Sequence, residues 1–93
     1  MPNNNSRPTI LVVDDNLDNI VLLEAIINGL YNVESWSNGR EALEIVWGKN
    51  PPNLILMDVL MPGIDGFETC KLLKGRASSQ SIPVIFVSCL GEY

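Results

Sequence analysis

The groups in this chain that could do chemistry are three acids and a hydroxyl: Asp14 and Asp15 side by side, Asp58, and Ser88. Each follows directly on an apolar run, Ile10–Val13, Leu54–Met57 and Val84–Val87 respectively. Taken singly they are ordinary, the first pair as helix-capping acids and Asp58 as a turn residue. Independent capping acids, however, have no reason to gather on one edge of a domain. Three carboxylates that do gather repel one another, and a hard divalent cation such as Mg²⁺ is the simplest way to relieve that repulsion. The chain contains no histidine. That removes the commonest general base and metal ligand, so the chemistry must run on carboxylates, hydroxyls and backbone groups.

The elements that must position these groups can be read from periodicity. Thr9–Val13 is a β-branched apolar run that stops at the acid pair, as a strand buried on both faces would. From Leu17 apolar residues recur at helical spacing up to a stop at Gly29, with Asn16 or Asp15 as N-cap. Tyr31–Trp36 alternates as a half-exposed strand, and Asn38-Gly39 opens a second helix over Arg40–Gly48. Pro51-Pro52 forces a break before the strand Leu54–Met57. Met61-Pro62-Gly63 is turn chemistry, and a third helix runs from Asp65-Gly66 to about Gly75. A polar loop, Ala77–Ser81, leads to a fourth apolar strand, Ile82–Val87. Strands alternating with helices predict an α/β fold, a doubly wound parallel sheet with helices on both faces. In such a sheet the ligand crevice lies at the carboxyl ends of the strands, where the acids and Ser88 fall.

Composition agrees with one compact domain: 93 residues, 46% hydrophobic and 18% charged. The formal charge of −5 repels nucleic acid and anionic lipid. Cys70 and Cys89 are too few for a disulfide scaffold and too far apart for a zinc site. No apolar run approaches the roughly 20 residues of a membrane span. Residues 1–8 are polar and lack the apolar core of a signal peptide, which predicts a flexible lead-in before a domain at 9–93 and a cytoplasmic location.

Leu11-Val12-Val13-Asp14-Asp15-Asn16, then Leu54–Asp58 followed by Met61-Pro62-Gly63-Ile64-Asp65-Gly66, then Pro83–Ser88 closely resemble the receiver domain of bacterial response regulators. The resemblance covers about residues 8 to 93 and rests on linked motifs in order. It implies a flavodoxin-like fold and a two-component phosphorelay function. Asp58 is then the phosphoacceptor, served by a sensor histidine kinase or a histidine phosphotransfer protein. Asp14 and Asp15 would hold Mg²⁺, Asp15 the more directly, with Asp58 and the backbone carbonyl of Leu60. Ser88 matches the family's switch hydroxyl. Pro62 and Gly66 match the turn after the phosphoacceptor, and Leu17, Ile20 and Val21 are candidates for contact with the kinase. Such a domain is not an enzyme beyond assisting its own phosphorylation.

Receivers continue past this point with a helix, a fifth strand ending in Lys-Pro, and a last helix. The chain given ends at Tyr93, and Lys49, Lys71 and Lys74 fall on or beside predicted helices. The expectation is therefore a truncated receiver of strand order 2-1-3-4, with Ile82–Val87 as an uncovered edge that drives homo-oligomerisation. The alternative reading is a receiver fold that is not phosphorylated and acts as an interaction or oligomerisation module. A haloacid-dehalogenase-type phosphohydrolase would want Asp-x-Asp instead of adjacent acids. An FMN site would not tolerate Asp14-Asp15 beside the phosphate.

Overall fold

The computed structural model describes residues 7–87. Chain order is β1 (Thr9–Val13), α1 (Leu17–Ile27), β2 (Asn32–Trp36), α2 (Gly39–Val46), β3 (Leu54–Met57), α3 (Gly66–Lys74) and β4 (Val84–Phe86). The strands form a four-stranded sheet in the order β2-β1-β3-β4, and every pairing is parallel. This is the doubly wound, flavodoxin-like architecture expected. No helix among the described residues is long and apolar enough to cross a membrane.

The two-residue period of β1 divides the core. Leu11 and Val13 point to one face, where they meet Ala42, Leu43 and Val46 of α2, Leu73 of α3, and Ile55 and Met57 of β3. Ile10 and Val12 point to the other and pack with Ile20 of α1. β1, between its two neighbours, is the strand buried on both faces. On β3, Ile55 and Met57 are fully buried, but Leu54 and Leu56 only partly. The reason is lateral, since α1 touches β1 and β2 and leaves the neighbouring half of that face less covered.

Each helix starts on the side chain its sequence offers. Asn16 Oδ1 accepts from the N–H groups of Asp18 and Asn19, Asn38 Oδ1 from Glu41, and Asp65 Oδ1 from Glu68. Asn38 Nδ2 also donates to Glu41 Oε1, so the start of α2 is locked from both sides. Helix ends shift slightly from the sequence expectation. Tyr31 belongs to the turn after α1, because its N–H closes back on Ile27.

The strand expected over Ile82–Val87 is shorter. Ile82 is held by the loop, its N–H donating to the Ser79 carbonyl and its carbonyl accepting from Lys74 Nζ at 2.7 Å, while the bonds to β3 begin at the Pro83 carbonyl, which accepts from Ile55 N–H. The preceding loop, polar in sequence, holds a buried residue. Ser79 Oγ donates to the Leu73 carbonyl at 2.6 Å and accepts from Trp47 Nε1 at 3.0 Å, while the Arg76 guanidinium lies 3.6 Å over the Trp47 ring. Of the expected lead-in, residues 1–6 lie outside the described residues. Its last two residues are tied to β2, with Arg7 and Pro8 carbonyls accepting from Asn32.

Candidate functional site

The acids are placed by the sheet itself. The N–H of Asp14 donates to the carbonyl of Trp36, the last residue of β2, and the N–H of Asp58 donates to the carbonyl of Val13, the last of β1. The ladder thus runs one residue beyond each strand and delivers both side chains to the same edge. A carboxylate oxygen from each of Asp14, Asp15 and Asp58 lies within 4.8 Å of the others. Asp14 is buried at 4% exposure, Asp58 is half-buried, and Asp15 faces solvent.

Burial pushes the Asp58 carboxyl above the ordinary aspartate range. The charge of Asp14 and a hydrogen bond with that carboxyl add to the rise, the backbone of Leu60 opposes it, and the charge of Asp15 adds a smaller push. Asp14 itself is held by neutral donors: Asn16 N–H reaches Oδ1 at 2.9 Å and Asn19 Nδ2 reaches Oδ2 at 3.3 Å.

Hard oxygen donors at this spacing fit a small divalent cation. A carboxylate set of net negative charge, without thiol or imidazole, suits Mg²⁺ better than a softer metal.

The loop after Asp58 is shaped by glycine at two points. Gly63 takes φ +80, open to glycine at little cost. Gly66, the first residue of α3, donates its N–H to the Val59 carbonyl at 2.8 Å, and a Cβ there would overlap the carbonyl oxygen of Asp58. The helix start therefore lies directly on the backbone that carries Asp58. A second close approach had no sequence signal. A Cβ at Gly39 would overlap Thr69 Oγ1, which seats the start of α2 against α3.

Other predicted residues separate. Leu17 and Val21 are 70% and 56% exposed, but Ile20 is 6% exposed and belongs to the core, so it is not available to a partner. Leu60 lies beside the site with its side chain in solvent. Lys74 is occupied elsewhere, bridging the carbonyls of Gln80 and Ile82. Ser88 lies outside the described residues. β4 leads towards it, with the N–H of Val87 donating to the Met57 carbonyl at 2.9 Å. Asn19 carried no motif in the sequence reading. Its only signal was an amide one turn into α1, five residues after Asp14.

Comparison with known proteins agrees with this geometry. The sequence matches the response regulator receiver domain family over residues 10–93. It is 42% identical over 82 residues to the response regulator PleD of Caulobacter vibrioides, which covers 87% of this chain and 18% of that protein. The solved signal receiver domain of a signal transduction histidine kinase from Syntrophus aciditrophicus is 37% identical with a TM-score of 0.82, over 91% of this chain and 64% of that one. The phosphorylated cyanobacterial phytochrome response regulator RcpA is 31% identical with a TM-score of 0.77, over 88% and 65%. The chain thus spans under a fifth of PleD and under two thirds of these solved chains. With the sheet order, the acidic edge and the family match in agreement, this chain belongs to the response regulator receiver domain family of two-component signalling.

Proposed function

We propose that this domain accepts a phosphoryl group on Asp58 from a phosphohistidine of a sensor histidine kinase or histidine phosphotransfer protein, in a Mg²⁺-dependent reaction. The observation that carries the reading is the half-buried Asp58 carboxylate, brought within 4.8 Å of Asp14 and Asp15 at the carboxyl edge of the sheet. An Asp58 carboxylate oxygen attacks phosphorus, the P–N bond to the imidazole breaks, and the nitrogen leaves with its electron pair. Asp14, Asp15 and Asp58, with the Leu60 carbonyl, would hold the metal, Asp15 as the more direct ligand. Bound there, Mg²⁺ supplies charge neutralisation for the incoming phosphoryl oxygens. The chain's own contribution is positioning: the backbone bonds of Asp14 and Asp58 to neighbouring strands fix where the carboxylates stand. Ser88 is assigned as the switch hydroxyl that bonds a phosphoryl oxygen. On this reading the domain catalyses no reaction other than its own modification. That RcpA has been solved as a phosphorylated response regulator supports it.

The kinase partner is assigned to the exposed apolar residues Leu17 and Val21 of α1, beside the acidic edge. A cytoplasmic location suits such a partner. Intact mass after incubation with Mg²⁺ and a small acyl phosphate tests the reading. One added phosphate is expected on the wild-type chain, and none on Asp58→Asn or without Mg²⁺. A folded wild-type chain that gains no phosphate overturns it.

Self-association is the further partner assignment. Among the described residues β4 is an outer strand, and it exposes Ile85 and Phe86. Light scattering of the 93-residue chain is expected to give a mass that rises with concentration. A constant 10.3 kDa would remove the assignment.

A further inference from the structure

We infer that Asn19 is a positioning residue that sets the affinity of the acidic site for Mg²⁺ by fixing the plane of the Asp14 carboxylate. The inference rests on the proposed Mg²⁺ reading and deepens it.

Asp14 is almost fully buried, and besides its hydrogen bond with the Asp58 carboxyl it accepts from Asn16 N–H at Oδ1 and from Asn19 Nδ2 at Oδ2. Of the two neutral donors, Asn16 N–H acts at Oδ1 only and by itself leaves the group able to turn about its last side-chain torsion, which is intrinsically broad. The second bond, from Asn19 Nδ2 to Oδ2, stops that rotation. Asn19 is itself well seated, since its N–H donates to both the carbonyl and Oδ1 of Asn16 in the first turn of α1. Each carboxylate oxygen accepts more than one bond, so a cation can still bind an oxygen that Asn16 or Asn19 already holds.

The neutrality of the donor matters as much as its position. An amide orients Asp14 and leaves all three negative charges available to the cation. An ammonium at position 19 would orient the same carboxylate and also discharge it, and would then compete with the metal. Partners that orient metal ligands from behind typically change affinity by about 10–100-fold when removed.

The test is Mg²⁺ affinity by calorimetry, with metal-free melting temperature as a parallel readout, on wild type, Asn19→Leu, Asn19→Lys and Asp14→Asn. Leucine is a good helix former, so Asn19→Leu is expected to fold. It should bind Mg²⁺ about tenfold more weakly than wild type, with a metal-free melting temperature lowered by the donor lost to the buried Asp14. Asn19→Lys should move the two readouts in opposite senses, higher metal-free stability and weaker Mg²⁺ binding, which a purely structural role would not produce. If wild type binds no Mg²⁺, or binds it no better than Asp14→Asn, the site reading itself fails and the inference falls with it. If wild type binds and Asp14→Asn does not, while Asn19→Leu stays within about twofold of wild type, the inference alone is overturned.

Discussion

Gly66→Ala is expected to lower the unfolding free energy by about 3 kcal/mol, the upper range for overpacking a rigid site. The new Cβ would overlap the Asp58 carbonyl oxygen and come within 3.0 Å of the Asp58 carbonyl carbon and the Val59 Cα. All three are backbone atoms, so no side-chain rotation can relieve the contact. Either α3 withdraws, losing the 2.8 Å bond from Gly66 N–H to Val59, or the segment carrying Asp58 is pushed out of register with Val13. Both routes damage the site as well as the fold, so phosphate uptake should fall together with stability. Gly29→Ala is the matched control, because nothing lies within 4 Å of a Cβ there. It should change stability by less than about 0.5 kcal/mol. Urea denaturation reads both, and equal effects at the two glycines would show that close approach to Asp58 is not what Gly66 provides.

The second large effect is a pH-dependent gain of stability in Asp58→Asn. The native carboxyl of Asp58 is raised by burial and by Asp14, so above the unfolded aspartate range the native state holds more protons than the unfolded chain. Stability therefore falls as pH rises from the unfolded value through the raised native one, and is level beyond it. Asparagine has no proton to lose. The metal-free variant should match wild type in acid and exceed it at neutral pH, by on the order of 1 kcal/mol for a partly exposed charge cluster. Saturating Mg²⁺ should narrow the gap, because wild type gains binding energy from a third carboxylate that the variant lacks. Chemical denaturation across the acidic range, with and without Mg²⁺, measures this. A pH-independent difference between the two proteins would contradict the electrostatic origin.

Much of this could be read along the chain. Asn16, Asn38 and Asp65 act as helix caps because a cap bonds within three residues, and such bonds are local. The closeness of Gly66 to the Asp58 turn was expected from its motif, and the backbone overlap agrees. The burial of Ser79 was not legible. A serine in a polar loop looks solvated, and only the approach of Trp47, 32 residues away, turns it into a buried link. The short β4 has a similar cause, since Ile82 is tied back to Ser79 and Lys74 and the bonds to β3 begin only at the Pro83 carbonyl.

What the sequence determined by itself was the order of strands and helices, the α/β class, and the acids Asp14, Asp15 and Asp58 at strand ends. These follow from periodicity and from residues adjacent in the chain, and a parallel sheet carries every strand end to the same edge. What only the tertiary structure decided was rotation and distance. The turn of α1 about its axis buries Ile20 while leaving Leu17 and Val21 in solvent, and it aims the Asn19 amide at Asp14. The close seat of Gly39 on Thr69 and the shared environment that raises Asp58 depend on elements far apart in sequence. Periodicity says that a helix has an apolar stripe, but which residues at its margin are covered depends on the width and position of the surface beneath it.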